Sequence, residues 1–144
     1  MSVAQLSTFS VDGYLFGVEV AMVQEVIRYQ PMTRVPLAPA ALVGLINLRG
    51  QVITAVDLRH RLGLGDRAAG ALPMDVIVRT GDGLVSLLVD RIGDVVEVAE
   101  DAFEAPPETL LGSARELSRG AYKLDDALLL LLDVRSAVEL QPAG

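Results

Sequence analysis

The sequence of 144 residues predicts an all-β fold: two similar five-strand units, each suited to a small closed barrel, with short helices attached. Three observations predict it. Apolar residues come mostly in runs of four to eight, often alternating, separated by Gly, Asp and Pro, which is how strands read. Asp-Gly lies between such runs where a hairpin would turn. Part of the chain also recurs at a fixed offset.

The elements follow in order. Leu6 to Val11 alternates loosely and is followed by Asp12-Gly13, a turn whose two central residues need positive φ. Tyr14 to Val20 is the return strand. Val23 to Ile27 is a further strand. Pro31, Pro36 and Pro39 make residues 31–39 a loop or an edge segment. Leu45-Ile46 and Val52-Ile53 flank Asn47-Leu48-Arg49-Gly50-Gln51 as another hairpin. Val76 to Val78, Gly81-Asp82-Gly83 and Leu84 to Val89 repeat the hairpin pattern, and Val95 to Val98 is a short strand. Asp57 to Leu62 and Asp133 to Leu140 read as short helices with Asp at the N-cap. Residues 65–73 and 100–119 are connectors, and the tail at 141–144 is expected to be disordered.

The repeat sharpens this reading. Gly44, Leu48, Asp57 and Arg59 recur 76 positions later as Gly120, Leu124, Asp133 and Arg135, with apolar positions between them matched in type. Upstream, Glu25-Val26-Ile27 matches Asp94-Val95-Val96 at an offset of 69. The chain is thus expected to be one domain, 1–144, made of two pseudo-repeat barrels at about 5–64 and 73–140. Closing each barrel would remove exposed strand edges.

Composition narrows the function. The hydrophobic fraction is 51% and the mean hydropathy +0.44. The apolar run Ala127 to Leu132 is nevertheless far short of the ~20 residues of a spanning helix, and the N-terminus shows no signal-peptide pattern. No direct membrane insertion is expected. Nineteen acidic residues face eleven Arg and one Lys, a net charge of −7 that suits neither nucleic acid nor anionic lipid. With no Cys there is no disulfide, no Cys-type zinc site and no thiol nucleophile. His60 is the single imidazole; it could touch Asp57 at i,i+3, but reads as a solvated residue beyond a helix cap. Asp125-Asp126 reads as a hairpin turn rather than a metal pair. Gly63-x-Gly65 lacks the rest of a dinucleotide fingerprint, and neither a Gly-Lys-Ser/Thr loop nor a nucleophile elbow occurs. The expectation is no catalytic residue, no cofactor and no metal.

What remains is surface. Arg49 occupies an exposed turn before a Gly that lets the backbone bend or approach a partner closely; the other reading is an ordinary solvated turn charge. Strand alternation places Val23, Glu25 and Ile27 on one face. If that face is outward, it forms a mixed apolar and charged strip suited to an interface; the other reading makes Val23 core.

These residues carry a resemblance. Phe16-Gly17-Val18, Val23-Gln24-Glu25-Val26-Ile27-Arg28, Val35-Pro36 with Ala38-Pro39, and Gly44 to Ile53 with Val56-Asp57-Leu58-Arg59 resemble CheW-like domains. So do Leu87-Leu88-Val89-Asp90 with Asp94-Val95, Pro106-Pro107, and Leu128 to Asp133. The resemblance implies two intertwined SH3-like five-stranded β-barrels. It implies a non-enzymatic cytoplasmic adaptor, held in membrane-associated receptor arrays through its partners. It implies that the adaptor couples the cytoplasmic tip of a methyl-accepting chemoreceptor to the regulatory domain of the histidine kinase CheA. The receptor would dock between the barrels and the kinase at their ends. On matching positions, Val23, Glu25, Gly44, Arg49 and Val95 become candidate partner contacts. Ala41, Thr54-Ala55 and Ser86 depart from the usual pattern, which leaves open a flagellar, pilus or other chemosensory pathway. A chain ending at Gly144 is expected to carry no receiver domain, which counts against phosphorylation. A ligand-binding barrel and a self-associating module are the alternatives.

Overall fold

The computed structural model describes residues 2–36 and 42–139. Ala38-Pro39, Ala41 and the tail 141–144 lie outside the described residues. The strands are β1 (Val3–Val11), β2 (Tyr14–Glu19), β3 (Val23–Arg28), β4 (Leu42–Leu48), β5 (Gln51–Asp57), β6 (Met74–Thr80), β7 (Gly83–Val89), β8 (Arg91–Ala99), β9 (Ser118–Lys123) and β10 (Leu128–Leu132). Three short helices are α1 (Leu58–Arg61), α2 (Gly112–Glu116) and α3 (Val134–Val138). Helix α2 falls in a segment the sequence reads only as a connector.

Two five-stranded sheets form, ordered β8-β1-β2-β10-β9 and β3-β6-β7-β5-β4, here called sheets A and B. Replacing each strand by its repeat mate turns one order into the other. Each sheet takes the opening hairpin of one repeat and the last three strands of the other. Within each, β2 runs parallel to β10 and β5 parallel to β7. The expected closure into hydrogen-bonded barrels does not occur among the described residues: β8 and β9, and β3 and β4, remain edges. Linker residues partly cover two of these edges, Thr33 bridging Leu45 on β4 and Glu104 bridging Ala121 on β9.

These bridges account for the repeated glycine. A Cβ on Gly44 would lie 2.7 Å from the Thr33 carbonyl oxygen, and one on Gly120 2.6 Å from that of Glu104. Neither contact can relax without moving backbone. Gly44→Ala should therefore lower stability by about 1–3 kcal/mol, read as a shift in urea midpoint at unchanged slope. The repeated aspartates are also explained. Asp57 accepts from Arg59 N at 2.9 Å and Asp133 from Ser136 N at 3.1 Å, capping α1 and α3.

A shared core lies between the sheets. Phe9, Val11, Phe16 and Val18 of sheet A meet Val76, Val78, Leu87 and Val89 of sheet B. Each sheet also wraps a smaller core of its own, around Leu129 in sheet A and Ile46, Ile53 and Ile77 in sheet B. The apolar excess of the sequence fills three cores rather than one.

One of the buried acids lies deep among apolar side chains. Asp75 on β6 is fully buried; its Oδ2 accepts from Gln30 N at 3.2 Å, and its Oδ1 makes no well-formed hydrogen bond among the described residues. Burial raises its pKa from 3.8 to about 6, against the opposing pull of Gln30 N–H and the Ser86 hydroxyl. Between those values the folded chain holds a proton that the unfolded chain has lost. Stability should fall as pH rises from about 4 to 6, by up to about 3 kcal/mol. Asp75→Asn should flatten that slope in denaturant titrations run across the window; an unchanged slope would place the titrating group elsewhere.

Candidate functional site

The tip of the β4–β5 hairpin is set by its backbone. Leu48 pairs with Gln51, leaving Arg49-Gly50 as a two-residue loop. Both are left-handed, at φ 51° and 86°, as in a type I′ turn. Asp12-Gly13 does the same between β1 and β2, with φ 48° and 87°. The Gly81 to Gly83 turn differs, because only Gly83 has positive φ there. Asn47 Oδ1 fixes the Arg49 turn by accepting from Gly50 N at 2.9 Å. An arginine in the left-handed slot costs about 1–2 kcal/mol relative to a residue such as Gly. The hairpin therefore holds Arg49 where turn chemistry alone would choose Asn, Asp or Gly.

The guanidinium of Arg49 reaches Glu25 on β3, with Arg49 Nη2 donating to Glu25 Oε2. Since β3 and β4 are the two edges of sheet B, this pair spans the sheet's open seam. The Arg49 side chain is 69% exposed and that of Glu25 24%. So wet a pair adds little stability. Its effect is to fix the direction of a guanidinium that still faces solvent.

The structure decides between the two orientations of β3 that the alternation leaves open. Val23, Glu25 and Ile27 face inward, half-buried, while Gln24 and Val26 point out. Val23 packs on the shared core and Ile27 on the core of sheet B. Inward burial of two large aliphatics decides the register, and Glu25 escapes burial only because β3 is an edge. Gly44 is buried beneath Thr33 and offers no surface. Val95 on β8 is 60% exposed and, through the repeat, is the mate of Val26. Val52, next but one to Gly50, adds a further exposed aliphatic side chain near the Arg49 turn.

A charge network missed by the sequence reading braces the opposite end of β5. Arg67 donates to both oxygens of Asp57, at 2.8 and 3.1 Å. Its Nε lies 2.9 Å from Asp90 Oδ1, close enough to pair charges but off the hydrogen-bond direction. Arg59 donates to Asp90 Oδ2 at 2.6 Å and to the Gly65 carbonyl at 2.8 Å. Asp12 N also donates to Asp90 Oδ2, which joins the first hairpin turn to α1. Asp57 and Arg59 repeat as Asp133 and Arg135, a signal that marked two members, but Arg67 and Asp90 have no such signature. His60 Nε2 lies 3.3 Å from Asp66 Oδ1 at the surface.

The two strand-exchanged β-sheets thus present a braced guanidinium turn and exposed valines. Comparison with known proteins supplies the family. The profile of the CheW-like domain matches residues 5–141, and the chain belongs to that family. The chemotaxis protein CheW of Treponema pallidum is 30% identical over 95% of this chain and 85% of its own length. That of Bacillus subtilis is 29% identical, covering 94% of this chain and 86% of its own. The crystal structure of the scaffolding protein TtCheW from Thermoanaerobacter tengcongensis superposes with a TM-score of 0.81 at 28% identity, over 92% of this chain and 90% of that one. This chain is a chemotaxis adaptor of the CheW type.

Proposed function

We propose that the adaptor holds a chemoreceptor cytoplasmic tip and the regulatory domain of the histidine kinase CheA in register, at receptor arrays beneath the membrane, with no chemistry of its own. The observation that carries this reading is the Arg49–Glu25 pair, a guanidinium held in a costly turn yet left facing solvent. Arg49, Glu25 and Val95 would meet the partners directly. Val23 and Gly44 would act from beneath, Val23 by seating β3 on the core and Gly44 by letting Thr33 cross β4. Charge would supply orientation and specificity, and the exposed valines the binding area. The net charge of −7 argues for protein partners over nucleic acid. Co-purification of the native protein from its own cells tests the reading. Recovery of a receptor together with a histidine kinase supports it, and the receptor's identity separates flagellar from pilus-based pathways. Recovery of neither would overturn it.

A further inference from the structure

The internal repeat locates, in sheet A, the place that the Arg49–Glu25 pair occupies in sheet B. Strands β3 and β8 correspond at an offset of 69, and their ladders break register at the same step, after Val23 in one and after Ile92 in the other. The hairpins β4–β5 and β9–β10 correspond at an offset of 76, because the Leu48–Gln51 pair has its mate in the 2.8 Å bond from Leu124 N to Ala127 O. Glu25 therefore maps onto Asp94, and Arg49 onto Asp125. The cation that spans one seam is a carboxylate in the other. Asp94, Glu97, Asp125 and Asp126 are all exposed there.

Between the unjoined edges β8 and β9 lies a groove of about 430 Å³. Val96, Val98, Tyr122 and Leu124 form its apolar floor, continuous with the core of sheet A. Lys123, at its margin, lies 3.6 Å from Glu104. Strand β8 pairs with β1 along one side only, and the backbone groups on its other side bond to no strand among the described residues. Such an edge can accept another strand.

We propose that this groove docks an extended segment of a partner protein in which a basic residue is flanked by apolar ones. The segment adds to β8, its apolar side chains extend the floor, and its cation sits between the positions of Asp94 and Asp125, where sheet B uses its own Arg49. Charge complementarity selects this occupant: the acidic rim repels phosphate, and among the described residues no three carboxylates or imidazoles gather to hold a metal ion. The inference stands on the fold and is independent of which receptor or kinase the adaptor serves.

The test is an NMR titration of the full chain with the peptide acetyl-Val-Arg-Val-Arg-Val-amide, and with its glutamate counterpart as control. Amide shifts should move along β8 and β9 with the arginine peptide alone. Asp125→Arg places the missing cation on the chain itself and should weaken binding at least about tenfold, with Asp125→Asn between it and wild type. Asp125 is an exposed turn residue, so both variants should melt as wild type does. Shifts confined to another surface, no shifts at all, or unchanged binding by Asp125→Arg would overturn the proposal. So would movement of the same amides on raising protein concentration without peptide, which would make a second copy the occupant.

Discussion

Arg49→Glu should leave the protein folded and remove it from the proposed receptor–kinase assembly. The side chain is mostly exposed and buries no core, so the thermal melt should change little. The new carboxylate would face Glu25 across the seam of sheet B, and the repulsion would splay the two groups that the proposed partners would read. Loss of affinity by about tenfold or more is expected for reversal of an interfacial charge of this kind. Arg49→Asn separates the two roles of the position. Asn suits the left-handed slot better than Arg, so the variant should be at least as stable as wild type while still failing in pull-down. A variant that assembled normally would reduce Arg49 to an ordinary turn charge.

The largest effect on stability should come from Phe16→Ala. Phe16 is fully buried where both sheets meet, its ring 6.3 Å from those of Phe9 and Tyr14. Removing it deletes area from the core that both sheets share, at a cost of about 3–5 kcal/mol. Set against a total of about 5–15 kcal/mol, this puts the variant near the edge of folding. The melting temperature should fall by about 10 °C or more. Because neither sheet has a complete strand set from one repeat, the loss should appear as one cooperative transition. Two separated transitions would show that the sheets unfold independently.

Local chemistry was legible wherever one or two residues decide it. Asp12-Gly13 named its turn, Asp57 and Asp133 named their caps, and the offset of 76 exposed the pseudo-symmetry. Arg49 and Glu25 were singled out separately, and the structure joins them. The face of β3 was not legible, because alternation gives two faces and only the packing of Val23 and Ile27 says which is inner. The open seams were equally hidden: a strand count cannot tell a closed ladder from one whose edges stop short. Asp75 passed unnoticed inside an apolar run, and Arg67 in a loop carries no periodicity that would announce its double contact with Asp57.

The exchange of strands between repeats also has a consequence for synthesis. The β1–β2 hairpin can form as soon as it leaves the ribosome, but sheet A needs β8, β9 and β10, whose last residue is Leu132. Sheet B finishes sooner, at β7, yet its face toward Phe9 and Phe16 stays uncovered until the later strands fix sheet A. Pairings between distant parts of a chain form slowly and leave apolar surface and free edges exposed meanwhile. The nascent chain should therefore keep free edges and an apolar face exposed until its final strand emerges.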